Sequence, residues 1–322
     1  MSSAVYFIKG NFNKKIPELL KRLCNFSKAG IKLHFGEEGN KTYLPPEYAR
    51  IVAGCFDSTL IETNVLYRGK RTATKDHMET AKKHGFDFAP VNILEDEEEI
   101  PIKGRHFNKA YIGKTSFRDL IIVSHFKGHI LTGFGGAIKN VGMGLATRKG
   151  KLALHAGAAP SVNQEKCTAC GKCIQECPAG AIKINGKAKI NPRICIGCAT
   201  CIAVCPVGAV NIPWGSLGSK EVQERIAEYC LAVLKNKNLI YVNFLVNLTK
   251  HCDCMGKKDK ILGKDIGVLV SKDIVAIDKA SYDLCRQKGI DFSELNGADS
   301  LIQARYAEKL GLGKQDYRLI EI

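Results

Sequence analysis

Short apolar runs bounded by glycine, proline or charge alternate along most of the chain with longer stretches of helical period. Ala4–Ile8 reads as a strand, Ile16–Phe26 as an amphipathic helix, and Ile31–Phe35 as a strand following Gly30. Pro45-Pro46 opens a helix to about Gly54, since proline suits the first helical turn. Ser58–Glu62 follows as a strand, and Lys75–His84 as a helix stopped at Gly85, a left-handed cap. Leu120–Ser124 reads as a buried strand. Lys220–Lys235 reads as a long helix, and Leu239–Asn247 and Ile266–Ser271 as strands. Helices near Ala276–Lys288 and Asp299–Leu310 and a strand Tyr317–Ile322 complete the pattern. This alternation predicts an α/β fold with a mixed or parallel sheet.

One stretch breaks the alternation. Eight of the fourteen cysteines fall between Cys167 and Cys205. Cys167, Cys170, Cys173 and Cys177-Pro178 are repeated 28 residues later as Cys195, Cys198, Cys201 and Cys205-Pro206. Ala179-Gly180-Ala181-Ile182 is answered by Val207-Gly208-Ala209-Val210, so the duplication extends beyond the thiols. Disulfides are rare in intracellular proteins, and zinc sites favour two pairs of ligands. Three cysteines spaced by three aim at corners of one iron–sulfur cube, while the fourth, before proline, serves the neighbouring cube. Cluster one is therefore expected on Cys167, Cys170, Cys173 and Cys205, and cluster two on Cys195, Cys198, Cys201 and Cys177. The stretch resembles bacterial-type dicluster ferredoxins, which implies two [4Fe–4S] clusters and one-electron transfer. Because the α/β pattern resumes afterwards, residues 161–215 read as an inserted ferredoxin-like α+β module in an α/β domain of residues 1–160 and 216–322.

A second constellation follows the strand ending near Ser124. His125, His129, Lys139 and His155 crowd into 31 residues around a glycine-rich run containing Gly135, Gly136 and Asn140. Strand ends of α/β sheets project side chains into ligand crevices. Glycines there could offer N–H groups to an anion, although the run lacks the order of a phosphate loop. His251-Cys252-Asp-Cys254 is a further candidate, with Cys252 and Cys254 as metal ligands or as plain reduced thiols. Cys24, Cys55, Cys230 and Cys285 read as core packing. Asp273 reads as a helix cap, and Asp278 as a cap or a site residue. Glu95–Glu99 reads as a solvated loop.

Several stretches together resemble the prokaryotic domain-of-unknown-function 362 family. They are Ile31–Asn40 with Pro45-Pro-Glu-Tyr48, Glu62–Gly69, His125–His129, Gly135–Gly144, His251–Cys254 and Ser271–Ala280. The resemblance spans nearly the whole chain, and its members often carry a dicluster ferredoxin. A more distant likeness, carried by His129, Lys139 and His155 with two glycines before the lysine, is to lactate-racemase-type proteins. It implies Lys139 as anchor of a nickel-pincer nucleotide, His155 as nickel ligand, His129 and His77 as acid/base pair, and Arg68 as a substrate-binding cation. A racemase needs no ferredoxin, however.

The formal charge of +16 lacks the basic blocks and interleaved aromatics of a nucleic-acid binder. No apolar run reaches the roughly 20 residues of a membrane span, and Met1–Lys9 lacks a signal-peptide pattern, so a cytoplasmic chain is expected. Two clusters with their thiolates carry about −2 each, leaving roughly +12, which suits an acidic redox partner or a small anionic substrate. The expected activity is ferredoxin-dependent oxidoreduction in the α/β domain, with room there for an additional metal or organic cofactor. The rivals are an electron carrier docking a partner enzyme and a metal- or cofactor-assembly protein.

Overall fold

The computed structural model describes residues 2–322, so Met1 of the N-terminal reading lies outside the described residues. Strands Ser3–Ile8 (β1), Lys28–Lys32 (β2), Asp57–Glu62 (β3) and Val91–Ile93 (β4) alternate with helices Phe12–Leu23 (α1), Pro46–Ala53 (α2) and Thr74–Lys83 (α3). Glu97–Pro101 (β5) and Lys109–Gly113 (β6) form an antiparallel hairpin. Asp119–His125 (β7) then leads into a small hairpin, Lys127–His129 (β8) with Gly133–Gly135 (β9), and the helices Ala137–Gly142 (α4) and Arg148–His155 (α5). The cysteine-rich stretch holds Ser161–Val162 (β10), Lys172–Gln175 (α6), Ile182–Asn185 (β11), Lys187–Ile190 (β12), Thr200–Val204 (α7) and Val210–Asn211 (β13). The remainder is Ser219–Leu234 (α8), Asn238–Leu245 (β14), Gly267–Ser271 (β15), Ile274–Gln287 (α9), Phe292–Asn296 (α10), Ile302–Lys309 (α11) and Tyr317–Glu321 (β16).

Eight strands form one sheet in the order β16-β1-β15-β14-β7-β2-β3-β4, and only β15 runs against the others. The fold is mixed α/β, as the alternation predicts. Side chains alternate across the pleat. Leu120 and Ile122 of β7 face the core beneath α4, α8 and α9, whereas Ile121 and Val123 face the core beneath α1 and α2. From β2 the chain winds outward to β3 and β4, and from β7 it winds the other way to β14. The β2/β7 boundary is therefore a topological switch point, where a crevice opens at the strands' carboxyl ends.

Several boundaries differ from expectation. Helix α1 starts at Phe12 rather than Ile16. Strand β2 ends at Lys32, and Leu33–Phe35, although inward-facing, run on toward a turn at Gly36, whose φ is +78°. The acidic run is solvated, but Glu97–Glu99 belong to β5 rather than a loop, with Glu99 paired to Lys109 at 3.0 Å across the hairpin. Strands β10 to β13 hydrogen-bond only among themselves and add nothing to the main sheet. Among the described residues, no helix is long and apolar enough to cross a membrane.

Candidate functional site

The duplicated cysteine loops repeat in backbone as well as in sequence. Ala169 and Gly197, Gly171 and Ala199, and Gly180 and Gly208 all have positive φ, and the members of each pair lie 28 residues apart. Cys167, Cys170, Cys173 and Cys205 line one small cavity. Cys177, Cys195, Cys198 and Cys201 line another. Each triplet thus meets the last cysteine of the other copy. Backbone N–H groups of Ala181 and Ala209 donate to the sulfurs of Cys177 and Cys205 at 3.3 and 3.2 Å. Ala188 N–H likewise donates to Cys167 at 3.5 Å, and four convergent sulfurs with amide donors to three of the eight thiols fit the chemistry of iron–sulfur ligation.

A cavity of about 480 Å³ opens at the switch point. Lys32, Glu62 and His125, the last residues of β2, β3 and β7, reach it from the sheet. Lys139 and Asn140 reach it from α4, and Lys151 and His155 from α5. Lys32, Arg71, Lys127, Lys139 and Lys151 stand against one lining carboxylate, Glu62. Cationic side chains thus outnumber acidic ones in the lining, although Lys32, Arg71 and Lys127 are paired with Glu62, Glu37 and Asp253.

His125, His129, Lys139, His155, Gly135, Gly136 and Asn140 all line this cavity. His77 and Arg68 do not. His77 is buried behind the wall, its Nδ1 3.2 Å from Asn64 Oδ1. Arg68 is exposed beside Gly208 of the cysteine-rich stretch. The arginine that does enter is Arg71, buried with Nε on Glu37 at 3.2 Å and Nη2 donating to the Tyr67 hydroxyl at 2.6 Å.

Both nitrogens of His125 face acceptors, Asp253 Oδ2 at 2.9 Å and the Val246 carbonyl at 2.8 Å, so this ring is fixed. Lys127 reaches the same Asp253 oxygen at 2.9 Å. Burial would push the Asp253 carboxyl up, but His125 and Lys127 outweigh it and hold the group well below the usual carboxylate range. Burial, with Lys139 and Lys151 nearby, drives His155 down to about 3, and burial with Lys139 also holds His129 well below its ordinary value. Burial brings Lys151 down to about 7, against the pull of Glu62. Lys151 donates to Thr63 Oγ1 and to the carbonyls of Asn64 and Ala146 at 3.0 and 2.7 Å.

Two amides that follow the glycines hold a carboxylate of the protein itself. The N–H groups of Ala137 and Ile138, at the start of α4, donate to the two oxygens of Asp278 at 2.7 and 2.9 Å. A Cβ on Gly136 would lie 2.3 Å from Asp278 Oδ1, and one on Gly142 would lie 2.1 Å from the Ile226 carbonyl. These glycines let α4 press against α9 and α8. Asp273 caps α9, accepting from Val275 and Ala276 at 2.8 and 2.9 Å. Asn140 ties β7 to β2: it donates to the Val123 carbonyl at 2.9 Å and accepts from Lys32 at 2.9 Å.

Cys252 and Cys254 also line the cavity, and the histidine beside them is His129, whereas His251 turns to Asp259 at 2.9 Å. A hydrogen bond from Cys254 and the nearby Lys139 hold the Cys252 thiol well below its ordinary value despite burial, and the same bond with burial pushes Cys254 well above it. Cys230 and Cys285 are core residues of α8 and α9, and Cys24 and Cys55 are half-buried at helix ends. The pattern reading passed over Lys32, Glu62, Arg71, Lys127 and Lys151. The available signal was charge at the end of a buried strand (Lys32, Glu62) and a lysine between two histidines (Lys127).

A family model described as a domain of unknown function, DUF362, matches residues 30–283. The chain belongs to that family. The match takes in the switch-point strands and the loop bearing Cys252 and Cys254, so the DUF362 region contains the whole cavity lining. No curated protein matches the chain. Among solved structures, a Thermotoga maritima protein from a structural genomics consortium is similar with a TM-score of 0.44 and 9% identity, over 86% of this chain and 58% of that one. A lactate racemase apoprotein from Thermoanaerobacterium thermosaccharolyticum is similar with a TM-score of 0.38 and 10% identity, over 84% and 54%. The chain spans just over half the length of both structures.

Proposed function

We propose that this protein is an iron–sulfur oxidoreductase whose residues 161–215 form a dicluster ferredoxin module inserted in an α/β domain of residues 1–160 and 216–322. Cys167, Cys170, Cys173 and Cys205 would hold one [4Fe–4S] cluster, and Cys177, Cys195, Cys198 and Cys201 the other. The observation that carries this reading is the exchange of the fourth cysteine between the two small cavities. When bound, the clusters supply one-electron transfer.

In this reading the rest of the chemistry falls to side chains of the 480 Å³ cavity. Lys32, Arg71 and Lys139 attract and orient an anionic substrate or cofactor. His129 and His155, kept neutral, can offer hydrogen bonds without adding charge. Lys151, near 7, can gain or lose a proton at working pH. Trp214, where the cysteine-rich stretch returns toward α8, stands edge-on over His155 with ring centroids 4.9 Å apart, and both line the cavity. Leu66 and Leu152 pack into the core of the cysteine-rich stretch. The module and the cavity thus share a wall, and this favours an oxidoreductase over a simple carrier.

Anaerobic iron and acid-labile sulfide analysis tests the reading. About eight of each per chain is expected, and clearly fewer would count against it.

A further inference from the structure

Cys252 and Cys254 lie on the loop after β14, and their sulfurs and a ring nitrogen of His129 all fall within 4.8 Å of one another. Such a trio can hold a metal ion or carry out thiol redox chemistry, and His129 distinguishes the two. Its Nδ1 accepts the N–H groups of Leu131 and Thr132, each at 3.3 Å. A neutral imidazole that accepts at Nδ1 carries its proton on Nε2, which then has no free lone pair for a metal. Lys139 places its ammonium 4.0 Å from Cys252 Sγ, and the Cys254 N–H points at that sulfur from 3.4 Å. Donors converge on a sulfur that has a second sulfur as its neighbour, the setting in which thiols exchange with disulfides.

We propose that Cys252 and Cys254 are a redox-active pair facing the cavity, a dithiol in the reduced protein and an intramolecular disulfide in the oxidised one. Closing the S–S bond releases two electrons and two protons, and reopening it consumes them. The reductant is the pair of one-electron clusters, so this step rests on the function proposed above. The oxidant is a two-electron acceptor bound as an anion in the cavity, which leaves reduced while the disulfide re-forms. Tyr67 connects the two regions: its ring packs against the core of the cysteine-rich stretch, and its hydroxyl donates to the Cys254 carbonyl at 3.2 Å. The pair would convert single-electron delivery into two-electron chemistry.

The test uses the cluster-loaded protein, poised anaerobically in mixtures of oxidised and reduced dithiothreitol, then acid-quenched, alkylated and mapped by mass. At oxidising poise, the peptide containing Cys252 and Cys254 is expected to carry no alkyl group and to lie about 2 Da below its unalkylated dithiol mass, and at reducing poise to carry two alkyl groups, reversibly. The oxidised protein should also take up about two more electron equivalents in coulometric titration than a Cys252→Ser/Cys254→Ser variant of equal iron content. Should the double variant not fold, Cys254→Ser alone removes the bond and serves the same comparison. No disulfide at any poise, or equal electron uptake, would overturn the proposal. So would a stoichiometric non-iron metal present in the native protein and lost in the variant. Low iron would instead strike the cluster reading, with the peptide map still deciding the thiol pair.

Discussion

Lys32 and Glu62 meet at 2.9 Å from adjacent parallel strands, both side chains almost wholly out of water. The pair closes the floor of the cavity. Lys32 also donates to the Leu33 carbonyl at 3.0 Å, while Glu62 Oε2 has no partner. Replacing Lys32 with Met strands a buried carboxylate and should cost about 3–5 kcal/mol in urea unfolding. The double change Lys32→Met/Glu62→Gln should recover most of that loss. A single variant as stable as the native protein would show that the pair contributes nothing to the fold.

Asp278 gives the fold a pH dependence of definite sign. Burial raises its carboxyl to about 6, although Ala137, Ile138 and Asn243 donate to it. A carboxyl whose folded value lies above its unfolded value adds stability that is fully present below about 3.8 and is lost as pH rises through about 6. Asp278→Asn should flatten this slope in melting curves between about pH 4 and 6. It should also cost about 1–3 kcal/mol, because an amide NH2 replaces one oxygen that α4 needs.

Arg71 and Arg68 separate a cavity cation from a surface one. Trp214 is the sole tryptophan of the chain and lines the cavity, so its emission reports on ligands there. Titration with small di- and tricarboxylates or phosphates should change that emission. Arg71→Leu should weaken the response about tenfold or more, whereas Arg68→Leu should leave it within about twofold. Equal losses in the two variants would remove the cavity as the anion site.

The crossed cysteine arrangement predicts which thiol serves which set. Cys205→Ser should lower iron from about eight toward about four per chain while sparing the site of Cys195, Cys198 and Cys201. Cys177→Ser should do the reverse. Spectra of the two variants, normalised to protein, should then add up to the native one. Loss of all iron in both would show that the sites cannot be filled independently.

Much of this molecule is written locally. Runs such as Leu120–Ser124 and Ile266–Ser271 are apolar over strand length and became strands of the sheet. The proline at the start of α2 and Gly85 after α3 marked real boundaries. The cysteine duplication is also a local signal, since spacing alone carries it. What escaped is contact between distant parts of the chain. Nothing near Gly136 announces that Asp278, more than a hundred residues later, occupies the helix end that the glycines left open. Arg71 and Arg68 differ little as sequence, yet the turn between them sends one inward and leaves the other at the surface. The same holds for His251 and His129: His251 adjoins Cys252 along the chain but turns to Asp259, while His129 lies beside the two sulfurs.

Strand β1 finds its neighbours only in β15 and β16, the nearer of which begins at Gly267. A ribosome adding about 5–20 residues each second therefore leaves Val5, Phe7 and Ile8 without a sheet for on the order of 10–50 s. During that interval α1 can cover Ile8, but Val5 and Phe7 face the other side and wait for α9 or a chaperone. The yield of folded protein should thus depend on elongation speed, and pauses in translation between residues 9 and 267 should increase aggregation while every contact of the finished molecule stays the same.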